Sequence, residues 1–191
     1  MALVLPAALT VACTDGSAPP PAAQGSADPT PSCVDDDDET PAQTEGPYFS
    51  PGSPERTDLR EAGMAGTPLV LTGFVYDTAC RPVAHALLDF WQADSTGRYD
   101  NSGFRLRGHQ YTASDGSYRL STIVPGLYTG RTRHIHVKAQ LPGGPVLTTQ
   151  LYFPGEARNA GDSIFNEELL LTGYRDQDGG KAASFNFVLP S

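Results

Sequence analysis

From Pro68 onward the apolar positions fall into short runs separated by turn residues. Leu69-Val70-Leu71-Thr72-Gly73-Phe74-Val75-Tyr76-Asp77 is rich in β-branched and aromatic side chains and ends in a turn. Ala86 to Gln92, Ser117 to Thr122, His134 to Gln140, Val146 to Phe153 and Ala183 to Leu189 share that texture. Between them stand Asp115-Gly116, Pro125-Gly126, Pro142-Gly143-Gly144 and Asp178-Gly179-Gly180, pairs and triplets that reverse a chain. Short strands with frequent turns predict an all-β domain, an antiparallel sandwich or barrel with long loops. Phe165 to Leu171 fits a short helix or a further strand equally. Trp91, within Leu88-Asp89-Phe90-Trp91-Gln92, reads as a core anchor.

The first forty residues have a different pattern. Ala2 to Ala12 is apolar and too short to span a bilayer, and Cys13 follows directly. Residues 1–13 are therefore expected to be an export signal, either one resembling that of bacterial lipoproteins, with Cys13 the site of lipid attachment and membrane anchoring, or one cut by a simpler peptidase; the plainer reading is a frayed apolar N-terminus. Thr14 to Ser32 is built from Ala, Pro, Ser, Gly and Asp, too little apolar surface to offset the entropy of ordering. Residues 14–40 are expected to form a disordered acidic tether, and residues 41–191 the folded domain, exported or attached to the cell envelope.

Composition agrees with one domain. The chain has 191 residues, and its 20 Gly and 17 Pro favour a turn-rich protein over a helical bundle. The net charge is −9, but residues 1–40 hold seven acids and no Lys or Arg, and the rest holds 15 acids against 13 bases. That balance gives no electrostatic reason to bind nucleic acid. Of the three cysteines, Cys33 and Cys80 remain as a pair if Cys13 is processed. Outside the cytoplasm a disulfide between them is the natural reading, and it would pin the tether to the first hairpin. The plainer reading is two unrelated thiols.

Two of the four histidines form His134-Ile135-His136. On a strand, residues i and i+2 point to one face, so the two imidazoles are placed to share a metal, although paired surface histidines are common. No Glu follows closely, as a cupin would need, and no near acid completes a two-histidine, one-carboxylate iron(II) site. No cysteine spacing fits structural zinc. Tyr99, after Gly97-Arg98, and Tyr128, after Pro125-Gly126-Leu127, stand at turn-like positions. Each alone reads as an edge aromatic; together with the histidines they offer two hard anionic donors that would favour iron(III). His85 and His109 have no such context and read as surface or structural.

Several motifs occur in one order: Gln43-Thr44-Glu45-Gly46-Pro47-Tyr48-Phe49, Trp91-Gln92-Ala93-Asp94-Ser95-Thr96-Gly97-Arg98-Tyr99, Thr122-Ile123-Val124-Pro125-Gly126-Leu127-Tyr128, Arg131-Thr132-Arg133-His134-Ile135-His136 and Thr149-Gln150-Leu151-Tyr152-Phe153. Together they resemble the intradiol ring-cleavage dioxygenases, which include the protocatechuate 3,4-dioxygenases and catechol 1,2-dioxygenases. The resemblance implies a prealbumin-like antiparallel β-sandwich and a non-haem Fe(3+) cofactor. It implies Tyr99, Tyr128, His134 and His136 as metal ligands, with Tyr128 also catalytic. Arg131 would stabilise charge on a bound catecholate, and Gln150 would orient oxygen. Thr44, Gly46, Pro47 and Tyr48 would line the substrate pocket. Strict strand alternation places Arg131 opposite His134, so Arg131 reaches the site only if the chain before His134 is irregular. Arg133 is its competitor.

The implied reaction opens a catechol-type ring between its two hydroxylated carbons with dioxygen, giving a cis,cis-muconate-type diacid. The implied partners are the catechol and dioxygen. The ligand motifs and Gly46-Pro47-Tyr48 lie in one chain, which permits a self-sufficient subunit and leaves the oligomeric state open, a homodimer included. A second reading is an exported prealbumin-like carbohydrate-binding or structural module without catalysis. It rests on Gly73-Phe74-Val75-Tyr76-Asp77, Arg81 to Ala86, Asp115-Gly116-Ser117-Tyr118 and Pro125-Gly126-Leu127-Tyr128, and leaves the His134-Ile135-His136 pair unexplained.

Overall fold

Alternation along the strands divides the chain's chemistry between two faces. In β2 (Leu87–Trp91) and β5 (His134–Gln140), Leu88, Phe90, Ile135, Val137 and Ala139 point inward and are fully buried. Asp89, Trp91, His134, His136 and Lys138 occupy the opposite face. The computed structural model describes Met1, Cys33 and residues 39–190. The expected export signal, Cys13 and most of the expected tether lie outside the described residues.

Two sheets pack over the inward set. One has the order β3 (Arg107–Tyr111), β2, β5, β6 (Val146–Tyr152), every pair antiparallel. The other has the order β4 (Ser117–Ile123), β1 (Pro68–Asp77), β8 (Gly180–Ser184), β7 (Thr172–Gln177), with β9 (Phe187–Leu189) also on β1. The sandwich is mainly antiparallel; β8 and β9 run parallel to β1. Leu69, Leu71, Val75, Leu120, Leu151, Phe153, Phe187 and Leu189 complete the core. A fully buried Leu or Phe of this kind contributes about 1.5–3 kcal/mol.

The structure differs from the sequence reading in four stretches of the strand pattern. β3 and β7 were not expected, because Arg107-Gly108-His109-Gln110-Tyr111 and the solvent-facing edge strand Thr172–Gln177 lack an apolar run. The single strand expected over Ala183 to Leu189 is two, interrupted at Phe185-Asn186, where Asn186 Oδ1 accepts from the Phe74 N–H at 3.0 Å. Phe165 to Leu171 is neither helix nor long strand. It holds a 3-10 turn, Glu167–Leu169, followed by a bridge from Leu170 to Tyr152.

Thr40, the last residue of the expected tether, belongs to the domain instead: it is buried and bonds Val188 in both directions at 2.9 Å. From there a strap crosses the outer face of the four-stranded sheet. Gln43 N–H donates to Thr148 O at 2.8 Å on β6, and Arg56 N–H donates to His109 O at 2.8 Å on β3. Cys33 and Cys80 form a disulfide with Cα atoms 5.4 Å apart. Cys80 sits at φ 55 in the tight turn after β1. The Asp77 carboxylate holds that turn by accepting from the Ala79 and Arg81 N–H groups at 3.0 and 2.9 Å.

Candidate metal centre

β5 supplies the two histidines, and register fixes their neighbours. Arg107, Trp91, His136 and Gln150 are successive cross-strand partners, one row across the outer face of the sheet. His134 pairs with Tyr152 in the same way. The tyrosines come from loops. Tyr99 lies in the β2–β3 connection and Tyr128 in the β4–β5 connection. Two glycines let these loops meet: a Cβ on Gly97, at φ +84, would lie 2.3 Å from Leu127 O, and one on Gly126 would lie 2.3 Å from Gly97 N. Gly126 N–H then donates to Asp94 O at 2.7 Å.

Three donor atoms converge. Tyr99 Oη is 3.0 Å from His134 Nε2 and 3.1 Å from His136 Nε2, and the two Nε2 atoms are 3.2 Å apart. His134 Nδ1 is 2.7 Å from Thr132 O, so its proton resides there and Nε2 presents a lone pair. The three contacts can then share only two protons, and at least one lone pair faces another. A cation removes that conflict: bonds of about 2.0–2.1 Å put adjacent donors about 3 Å apart. Among the described residues no cluster of three or more His, Cys, Asp or Glu occurs, so a metal held here uses phenol oxygens. Hard phenolate with imidazole suits a small, highly charged ion such as iron(III).

Tyr128 is the fourth expected donor. Its Oη is 2.7 Å from Tyr48 Oη, and the Tyr48 ring stacks on the Tyr99 ring at 4.6 Å. The hydrogen bond to Tyr128, and then burial, pushes the Tyr48 phenol above its ordinary pKa. Burial pushes Tyr99 up as well, against the opposing charges of Arg131 and Arg107. Burial lowers His134 to about 4 and His136 well below the usual imidazole value. Both imidazoles are therefore neutral at pH 7, the state that ligates. A bound trivalent cation reverses the tyrosine preference by stabilising phenolate.

Arg131 sits in an irregular turn ahead of β5, its N–H donating to Tyr128 O at 3.0 Å. Freed from strand parity, its Nη2 donates to Gln150 Oε1 at 2.8 Å and its Nε to Asp162 Oδ2 at 2.8 Å. Arg133 turns away to Glu156, at 2.6 Å, and to Pro125 O. Gln150 is fully buried and its Nε2 donates to Thr44 O at 2.8 Å. Gly46, at φ +70, brings the strap against the site; a Cβ there would lie 3.6 Å from His136 Cε1. Thr44 and Pro47 are exposed at the rim. A cavity of about 750 Å³ lined by Gln43, Thr44, Ile164 and Phe165 touches none of the four donors. A smaller cavity of about 400 Å³, lined by Gln92, Asp94, Arg98 and Tyr99, does reach one of them.

Sequence reasoning missed three residues here. Arg107 is buried, and among the described residues its guanidinium bonds main-chain oxygens alone, Asp100 O at 2.6 Å and Tyr48 O at 2.5 Å. It thereby ties the strap to the Tyr99 loop. Asp162 anchors Arg131 and the Thr132 N–H. Tyr152 donates to Ile164 O at 3.0 Å, and burial raises it to about 12. None carries a local sequence signal; each is recruited by the fold.

A β-sandwich whose loops bring one phenol onto a strand-borne histidine pair, with a second phenol ring edge-on to the first, defines a class, and similarity to known proteins identifies it. The dioxygenase family model matches residues 44–191. The hydroxyquinol 1,2-dioxygenase of Nocardioides simplex is 30% identical over 168 residues, covering 75% of this chain but 57% of that enzyme. The chain thus spans little more than half the length of this relative. The solved dioxygenase domain of a dioxygenase–carbohydrate-binding protein fusion from Streptomyces sp. SirexAA-E is 58% identical, with a TM-score of 0.78. That alignment covers 80% of this chain and 99% of the other. The 3-chlorocatechol 1,2-dioxygenase of Rhodococcus opacus 1CP is 31% identical, with a TM-score of 0.74, over 80% of this chain and 72% of its own. The chain belongs to the intradiol dioxygenase family.

Proposed function

We propose that the protein is an exported non-haem iron(III) dioxygenase that opens catechol-type rings between the two hydroxylated carbons. Both atoms of dioxygen enter the product, a cis,cis-muconate-type diacid. The observation that carries this reading is the convergence of Tyr99 Oη, His134 Nε2 and His136 Nε2 within 3.2 Å of one another. Tyr99, Tyr128, His134 and His136 would hold the metal. Iron(III) bound there supplies Lewis-acid activation of the catecholate toward dioxygen.

The protein's own groups do the rest. Tyr128 would hold the metal as phenolate and would be the base for a substrate hydroxyl proton, with Tyr48 Oη as its hydrogen-bond partner. Arg131, fixed by Asp162 and Gln150, sets positive charge beside the ring as it becomes anionic. Gln150 is held rigid between Arg131 and Thr44 O and orients oxygen. Thr44, Gly46, Pro47 and Tyr48 form the strap wall of the pocket. The Cys33–Cys80 disulfide supports export to an oxidising compartment, with Cys13 the proposed lipid anchor. A non-catalytic binding module accounts for the sandwich but not for two buried neutral imidazoles facing phenols.

The test is dioxygen uptake by the iron-loaded protein on catechol, with isotopically labelled dioxygen. Two labelled atoms in a muconate-type diacid are expected, with activity lost in His136→Ala. A ring opened beside, rather than between, the hydroxylated carbons would refute the assignment, as would a His136→Ala protein with normal iron and activity.

A further inference from the structure

The two histidines are held differently. His134 has the usual support, its Nδ1 bonded to Thr132 O. His136 Nδ1 is buried with no hydrogen-bond partner among the described residues. Away from Nε2 the His136 ring is oriented by packing: the indole of Trp91 lies 4.8 Å away and 8° from parallel. Gly46 closes on Cε1 of the imidazole. Trp91 is braced in turn by the edge of Phe49 at 4.9 Å, and Lys138 Nζ lies 4.4 Å over the Phe49 ring.

Trp91 Nε1 is also buried without a partner among the described residues. An orphaned N–H is costly, so the indole is an expensive filler if packing is its only role. Its face offers more. When His136 Nε2 binds a cation, the imidazole gains positive charge opposite the negative face of the indole. That attraction favours the metal-bound state over the metal-free one.

We propose that Trp91 is a positioning residue for the metal centre, orienting His136 and favouring its metal-bound form in place of a hydrogen bond at Nδ1. This inference rests on the reading of Tyr99, Tyr128, His134 and His136 as iron ligands. It also reassigns Trp91, which the sequence presents only as a core anchor.

The test compares wild type, Trp91→Phe, Trp91→Met and Phe49→Leu. Each is prepared metal-free, checked for fold by circular dichroism and thermal melting, and titrated with iron(III) against a competing chelator. Trp91→Met should weaken iron binding about 10-fold or more and shift the tyrosinate charge-transfer band. Trp91→Phe, which keeps an aromatic face, should restore the band and most of the affinity. Phe49→Leu, which leaves Trp91 in place but unbraced, should cost a few-fold. If Trp91→Met does not fold, Trp91→Phe and Phe49→Leu decide. Folded variants with wild-type affinity and spectrum overturn the inference alone. A wild type that takes up no iron overturns the ligand assignment, and this inference with it.

Discussion

The phenol oxygens of Tyr48 and Tyr128 lie 2.7 Å apart, although 80 residues separate them in the chain. One belongs to the strap and the other to the loop before β5. Replacing Tyr48 with Phe keeps the stack on Tyr99 and removes this bond. We expect ring cleavage in Tyr48→Phe to fall about 10-fold, as loss of one hydrogen bond of about 1.4 kcal/mol implies. Melting temperature should hardly change. Steady-state dioxygen uptake alongside a thermal melt checks both.

The meeting of the Tyr99 and Tyr128 loops depends on Gly97. An added methyl would collide with Leu127 O, and its φ of +84 strains any other residue. Gly97→Ala should destabilise the protein by about 2–4 kcal/mol and separate the two tyrosines. Urea denaturation measures the first effect and loss of iron uptake the second.

Acid should weaken the metal-free protein. His134 has an ordinary pKa of 6.5, lowered to about 4 by burial. Between those values the unfolded chain binds more protons, so stability rises with pH. The contribution is complete above about 6.5 and is lost as pH falls toward about 4, roughly 3 kcal/mol in all. Denaturant midpoints of the metal-free protein from pH 7.5 to 4 should show that slope, and His134→Asn should reduce it, leaving the share of His136, which burial lowers in the same direction.

The disulfide closes a 47-residue separation. Cys33→Ser should lower stability by about 2–4 kcal/mol. A thermal melt with and without reductant checks this: wild type should shift on reduction and Cys33→Ser should not.

How much was legible in the sequence depended on whether the signal was local. Apolar runs and Asp-Gly or Pro-Gly turns exposed most of the core strands. β3 stayed hidden because the strap covers its outer face, so polar Arg107 and His109 are tolerated there. The His134-Ile135-His136 pair was legible because period-two geometry alone puts both rings on one face. Tyr99 and Tyr128 were marked locally only by their turn-like positions after Gly97 and Gly126, and the role of metal ligand came from the family resemblance. Parity left Arg131 and Arg133 open; the irregular turn ahead of β5 puts Arg131 on Gln150 and Asp162 and Arg133 on Glu156. Arg107 and Asp162 act through contacts between distant segments, a relationship a linear pattern does not encode.

Two phenolates and two imidazoles holding iron(III) would give the protein a colour. The visible absorption spectrum of the purified iron-loaded domain, with iron analysis, is recorded before and after catechol is added without oxygen. We expect a wine-red protein whose charge-transfer band shifts on catechol binding, and no such band when Tyr99 and Tyr128 are both Phe. An iron-replete protein without colour would contradict the ligand assignment.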